Sequence, residues 1–144
     1  MSERVVVVNA SKMNYDHALD FSILSNDVQV YDNSTNTELI KRIQGARVVV
    51  TKEISVTAEL LSQFPDTVKL IVEAGTGYNN IDLNAAKAKG ITVCNIPAYS
   101  TERVAHTVIM MILNFASTMQ QQIGMLAKGD RSNFTKYLQV SHTE

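Results

Sequence analysis

The chain has no tryptophan, one cysteine, two prolines and six glycines in 144 residues. A single thiol, Cys94, excludes an internal disulfide and any metal site built from several cysteines. Charge of one sign is also missing: 13 Lys and Arg face 14 Asp and Glu, a net −1. Without a basic excess to neutralise phosphates, nucleic acid is not an expected partner. Long hydrophobic runs are absent. Val5 to Val8 is too short for a signal-peptide core. Val104 to Ala116 is broken by His106, Thr107 and Asn114 and falls short of the roughly 20 residues that span a bilayer. No membrane partner is expected, and a cytoplasmic location is the default. The glycines (45, 75, 77, 90, 124 and 129) match neither G-x-G-x-x-G nor G-x-x-x-x-G-K-[ST], and no G-x-S-x-G occurs. The three histidines, His17, His106 and His142, have no metal-ligand spacing. Asn9-Ala10-Ser11 lacks the acidic pair of a receiver domain.

What remains is 45% hydrophobic and 19% charged, the composition of a chain that buries a core. Strand-like and helix-like runs alternate. Val5–Val8, Val28–Tyr31, Ala46–Val50, Val68–Glu73 and Ile91–Asn95 read as strands, the first as one buried on both faces. Helices are predicted over Tyr15–Leu24, Thr35–Ile43, Thr57–Phe64 and Leu83–Lys89. Thr35 or Asn36 caps the second, Pro65 stops the third, and Asp82 and Gly90 bound the fourth. Five such units predict an α/β fold, a flavodoxin-like five-stranded parallel sheet with flanking helices. Cys94, inside the fifth strand, reads as a buried, inert thiol.

After Pro97 the pattern changes. One long helix is expected from Thr101 to Lys128, with Val104, Val108, Met111, Phe115, Met119 and Leu126 along one face. Between 104 and 116 it is apolar almost all round, so a second domain or second subunit is expected to cover it. The expected division is therefore a sheet domain over 1–100, a crossing or dimerisation helix over 101–128 and a connector over 129–144.

Open parallel sheets gather ligands at the carboxyl ends of their strands. Thr51-Lys52, Gly75 to Asn80 and Pro97 to Ser100 lie at such ends. Glycines in Gly75-Thr76-Gly77 let a backbone approach a ligand or adopt positive φ, and amides before a helix make an anion site. The same turn can equally be a tight connection that needs glycine for its geometry alone. Lys52 either adds a positive charge to that rim or is simply solvated. Tyr99 either offers its hydroxyl to a ligand or anchors the loop. His106 lacks a partner at ligand spacing.

Several blocks resemble the D-isomer-specific 2-hydroxyacid dehydrogenases, and in wording their glycerate dehydrogenase (hydroxypyruvate reductase) branch. They are KLIVEAGTGYNNID over 69–82, Ala85-Ala86-Lys87, Lys89-Gly90-Ile91 and VCNIPAYST over 93–101, joined by Thr51-Lys52 and VTAEL over 56–60. The resemblance implies a flavodoxin-like substrate domain into which a Rossmann domain is inserted. Residues 1 to about 100 would be its first part, and the segment after Glu144 would run into the Rossmann domain. Amides matching Thr76 and Gly77 would hold a substrate carboxylate, with Tyr99 lining the cleft. The implied reaction is hydride transfer between NAD or NADP and a small 2-hydroxy or 2-oxo acid. The family's catalytic arginine, glutamate and histidine belong to the other domain, so none is assigned here. This chain alone is expected to be inactive and to bind neither cofactor. His106 stands where relatives carry Glu or Gln. The alternative is a stand-alone carboxylate-binding or dimerisation module; a homodimer through 101–128 is expected.

Overall fold

The computed structural model describes residues 3–132. The chain divides into two compact units, parting between Ala98 and Tyr99.

The first unit holds five parallel strands: β1 (Val5–Val7), β2 (Val28–Val30), β3 (Val48–Thr51), β4 (Leu70–Glu73) and β5 (Thr92–Cys94). Their order across the sheet is β2-β1-β3-β4-β5, the flavodoxin-like order. Register runs Val5 beside Val28 and Val48, Val48 beside Leu70, and Leu70 beside Thr92. Branched side chains suit this pleated, enclosed surface. They alternate between two cores: Val6, Val8, Val49 and Ile71 join one apolar cluster, while Val5, Val7 and Val50 join the other. Val5 to Val8 is thus buried on both faces, as its composition predicts.

Helices α1 (Asn36–Arg42), α2 (Ala58–Ser62) and α3 (Leu83–Ala88) cover the first face through Leu39, Leu60, Leu61 and Ala86. Each start is set by a side chain. Thr35 accepts from the Glu38 N–H in a capping box, Thr57 from Leu60 and Asp82 from Ala85. Gly90, at φ 68°, ends α3 in the left-handed region.

Three expectations fail in whole or in part. Tyr15–Leu24 is not a helix. Two short 3-10 turns, Ala10–Lys12 and Phe21–Leu24, occupy the connection, and His17 sits at φ 57° between them. Side chains there capture the amides that a helix would use. Asn14 Oδ1 accepts from Leu19 (2.8 Å), Asp16 from Ala18 (3.2 Å) and Asp20 from Ser22 (2.9 Å). Ala10, Met13 and Phe21 of this connection pack on the second face of the sheet. Secondly, Cys94 is exposed, because β5 forms an edge of the sheet.

Thirdly, the long helix is present only in part. The second unit holds α4 (Thr101–Ala116) and α5 (Met119–Ala127) instead. The break falls at Thr118, at φ 49° and ψ 36°. Ser117 Oγ donates to the Leu113 carbonyl, Thr118 Oγ1 to the Ser117 carbonyl, and Gln122 Nε2 to that same carbonyl. These bonds stand beside the backbone ones at the break, where the Thr118 N–H turns to the Phe115 carbonyl at 3.2 Å. α4 buries none of its residues. Of the expected connector, residues 133–144, His142 among them, lie outside the described residues. Among those that are described, no helix is long and apolar enough to cross a membrane, and no cluster of three ligating side chains occurs.

Candidate functional site at the carboxyl end of the sheet

The order of strands reverses beside β1 and β3, and their carboxyl ends lie next to the end of β4. Asn9, directly after β1, is 5% exposed. Its Oδ1 accepts from the Lys52 N–H at 2.9 Å and its Nδ2 donates to the Lys52 carbonyl. One buried amide therefore grips both backbone groups of Lys52.

Glu73 closes β4 and is 1% exposed. Its Oε2 accepts from Thr51 Oγ1 (2.9 Å) and from Asn80 Nδ2 (3.1 Å). Its Oε1 accepts from the Glu53 N–H (3.0 Å), and Glu53 holds a left-handed φ of 59°. Three donors are what a buried carboxylate requires if its charge is to be tolerated. The Lys52 ammonium pairs with Glu53 at 3.6 Å and its side chain is 18% exposed.

The Gly75–Asn80 turn is fastened at both ends. Toward β5, Ile96 N–H donates to the Gly75 carbonyl (2.9 Å), Thr76 Oγ1 to the Ile96 carbonyl (3.1 Å) and Asn95 Nδ2 to the Thr76 carbonyl (2.8 Å). Toward β3, Asn80 Nδ2 also donates to the Ile54 carbonyl (2.7 Å), and Val56 N–H donates to the Asn80 carbonyl (2.8 Å). Between these anchors, the N–H groups of Thr76 and Gly77 meet no protein acceptor among the described residues.

Neither glycine at the head of the turn adopts positive φ. A Cβ at Gly75 would lie 2.6 Å from Lys52 Nζ, the far end of a flexible side chain that can swing aside. A Cβ at Gly77 would meet only Asn79 Oδ1, at 3.7 Å, an ordinary contact. The surrounding fold does not demand glycine at 77.

The structure thus brings three of the sequence-predicted residues, Lys52, Thr76 and Gly77, to one edge of the first unit, with Thr76 and Gly77 exposed. Tyr99 begins the second unit and is 63% exposed. His106 is exposed on α4. Sequence reasoning missed Asn9, Glu73 and Asn80. One signal was available: Glu73 is a carboxylate ending an otherwise apolar strand, a position that calls for buried donors.

A dinucleotide does not fit this turn. In Gly75-Thr76-Gly77-Tyr78-Asn79-Asn80 the place of a third glycine is taken by Asn80, whose side chain is bonded inward. The buried Glu73 carboxylate behind it would oppose a pyrophosphate.

A 2-1-3-4-5 parallel sheet defines an open, flavodoxin-like α/β domain, and its carboxyl edge is where such sheets gather ligands. Residues 4–140 match the D-isomer specific 2-hydroxyacid dehydrogenase catalytic domain, and the chain belongs to that family. It is 34% identical over 96 residues to a glycerate dehydrogenase from Methylorubrum extorquens, an alignment covering 67% of this chain and 30% of that protein. Its fold matches D-lactate dehydrogenase from Aquifex aeolicus, complexed with NAD and lactic acid, with a TM-score of 0.67 at 28% identity, over 89% of this chain and 38% of that one. D-2-hydroxyisocaproate dehydrogenase shares the fold with a TM-score of 0.74 at 16% identity, over 90% and 40%. The chain therefore spans well under half the length of these relatives.

Proposed function

We propose that the chain is the substrate-domain portion of an NAD(P)-dependent 2-hydroxyacid dehydrogenase. Its substrate is a small 2-hydroxy or 2-oxo acid of the glycerate and hydroxypyruvate class, and its setting is the cytoplasm. The carrying observation is a turn fastened at both ends that leaves the Thr76 and Gly77 amides without protein acceptors, beside the Lys52 ammonium. Amides so arranged suit a carboxylate, and a flanking cation strengthens the attraction.

These residues bind and orient the acid. They do not supply hydride. Because the Gly75–Asn80 turn does not fit a dinucleotide and the sequence carries no G-x-G-x-x-G, the 144-residue chain alone is expected to be inactive and to bind neither NAD nor NADH. Titration with hydroxypyruvate, followed by amide chemical shifts, is expected to move the Thr76 and Gly77 signals first. Calorimetry with NADH is expected to show no heat of binding. Unmoved Thr76 and Gly77 signals at millimolar hydroxypyruvate overturn the carboxylate reading, and micromolar NADH binding overturns the inactivity reading.

The same reading assigns the apolar surface of α4 to a second copy of the chain. Val108, Ile109, Met111 and Ile112 are each half exposed or more. Neighbouring exposed apolar groups of this kind mark an interface. Light scattering is expected to give a mass near twice 15.9 kDa, reduced to the monomer by Val108→Glu with Ile112→Glu. A monodisperse monomer at high concentration sinks the assignment.

A further inference from the structure

We propose that Glu73 is a positioning residue: its buried carboxylate sets the geometry of both halves of the anion site. This rests on the carboxylate-binding reading of Thr76 and Gly77 and adds what holds that site in shape.

The argument begins with where its donors come from. Thr51 and Glu53 flank Lys52 in sequence, and both donate to Glu73. Asn9 holds the Lys52 backbone itself. The lysine is thus fixed at its own peptide groups and on either side of them. Its ammonium lies over Gly75, 2.6 Å from where a Cβ would stand. The third donor, Asn80, ends the glycine turn. A single carboxylate therefore links the segment carrying the cation to the segment carrying the free amides.

The chemistry of the group matters as well as its size. Both Glu73 oxygens accept hydrogen bonds, Oε1 from one donor and Oε2 from two, so an acceptor is needed at each. A glutamine amide would set its NH2 against either the Glu53 N–H or the Asn80 NH2, whichever way it turned. A buried apolar residue would satisfy the neighbouring core while leaving the Thr51 hydroxyl and the Glu53 N–H unmatched and Asn80 with the Ile54 carbonyl alone. Glu53 in particular keeps a left-handed backbone that the Glu73 oxygen stabilises.

The test compares Glu73→Gln with Ile43→Val, a truncation in the core away from the site that lowers stability without touching these bonds. Hydroxypyruvate is the probe, read at the Thr76 and Gly77 amides, and hydrogen exchange is read at the Glu53 amide. Glu73→Gln is expected to weaken hydroxypyruvate binding roughly ten-fold and to speed Glu53 exchange about as much, the cost of losing a charge-assisted bond. Ile43→Val is expected to lower the melting temperature while leaving both readouts unchanged. Asn80→Ala, which removes one donor and keeps the carboxylate, is expected to weaken binding without altering Glu53 exchange, and it serves if Glu73→Gln does not fold. Wild-type affinity in Glu73→Gln together with unchanged Glu53 exchange overturns the proposal, as does wild-type affinity in Asn80→Ala. If the wild-type chain binds no hydroxypyruvate, the carboxylate reading fails by itself, and Glu53 exchange still decides whether Glu73 orders the Lys52 segment.

Discussion

The two units are both rich in apolar residues and dispose of them in opposite ways. In the first, Val6, Val7, Val8, Val49 and Ile71 are fully buried, because a sheet offers two faces and a layer lies on each. In α4, Val108, Met110, Ile112 and Leu113 stay between 50% and 62% exposed. Apolar content is not by itself a core. A strand alternates its side chains between two fixed faces, whereas a helix apolar all round needs cover on several sides. The difference separates residues whose burial is complete within this chain from residues that the chain leaves exposed.

The largest effect expected from this contrast is on stability. Leu61→Ala, at a fully buried position, should cost about 2–5 kcal/mol in urea unfolding. Leu113→Ala, at 62% exposure, should cost less than about 0.5 kcal/mol in dilute solution. Equal costs would erase the distinction between the units.

Smaller effects separate glycines that the backbone needs from one that it does not. Gly90→Ala forces a Cβ onto φ 68° and should lose about 1–2 kcal/mol. Gly77→Ala meets no strain of this kind and should melt like the wild type while losing hydroxypyruvate binding. A large fall in melting temperature for Gly77→Ala would return the turn to a purely architectural role.

The smallest effect concerns the capping box of α1. The Thr35 backbone N–H, then its hydroxyl, then Arg42 hold the Glu38 carboxyl below its ordinary value of 4.5. A carboxylate depressed on folding contributes stability above its unfolded pKa and loses it as pH falls through the folded one. The protection of α1 amides, taken relative to their intrinsic exchange rate at each pH, should therefore fall as pH drops below about 4.5, and Glu38→Gln should flatten that dependence. An unchanged profile in the variant would remove Glu38 from the account of α1.

Most of the sheet was legible in advance. Branched runs such as Val5–Val8 and Val48–Val50 carry their own backbone preference, and the caps Thr35, Thr57 and Asp82 act on amides three residues away. The turn carrying Thr76 and Gly77 was legible too. The failures share a different cause. Asn14, Asp16 and Asp20 capture nearby amides and undo a helix that apolar spacing predicts. Where the long helix breaks, the Ser117 and Thr118 hydroxyls donate instead to the Leu113 and Ser117 carbonyls. Such captures pit weak local preferences against one another, and periodicity is blind to the outcome.

By itself, the sequence determined the parallel α/β sheet, its helix starts and a glycine turn at a strand end, because those depend on residues within a few positions of one another. Tertiary structure alone decided that β5 is an edge and Cys94 exposed, because strand order is set by pairing between distant segments. It also decided that Thr51, Glu53 and Asn80 converge on Glu73. No local pattern holds that convergence; it exists because β3 and β4 lie side by side and bring their ends together.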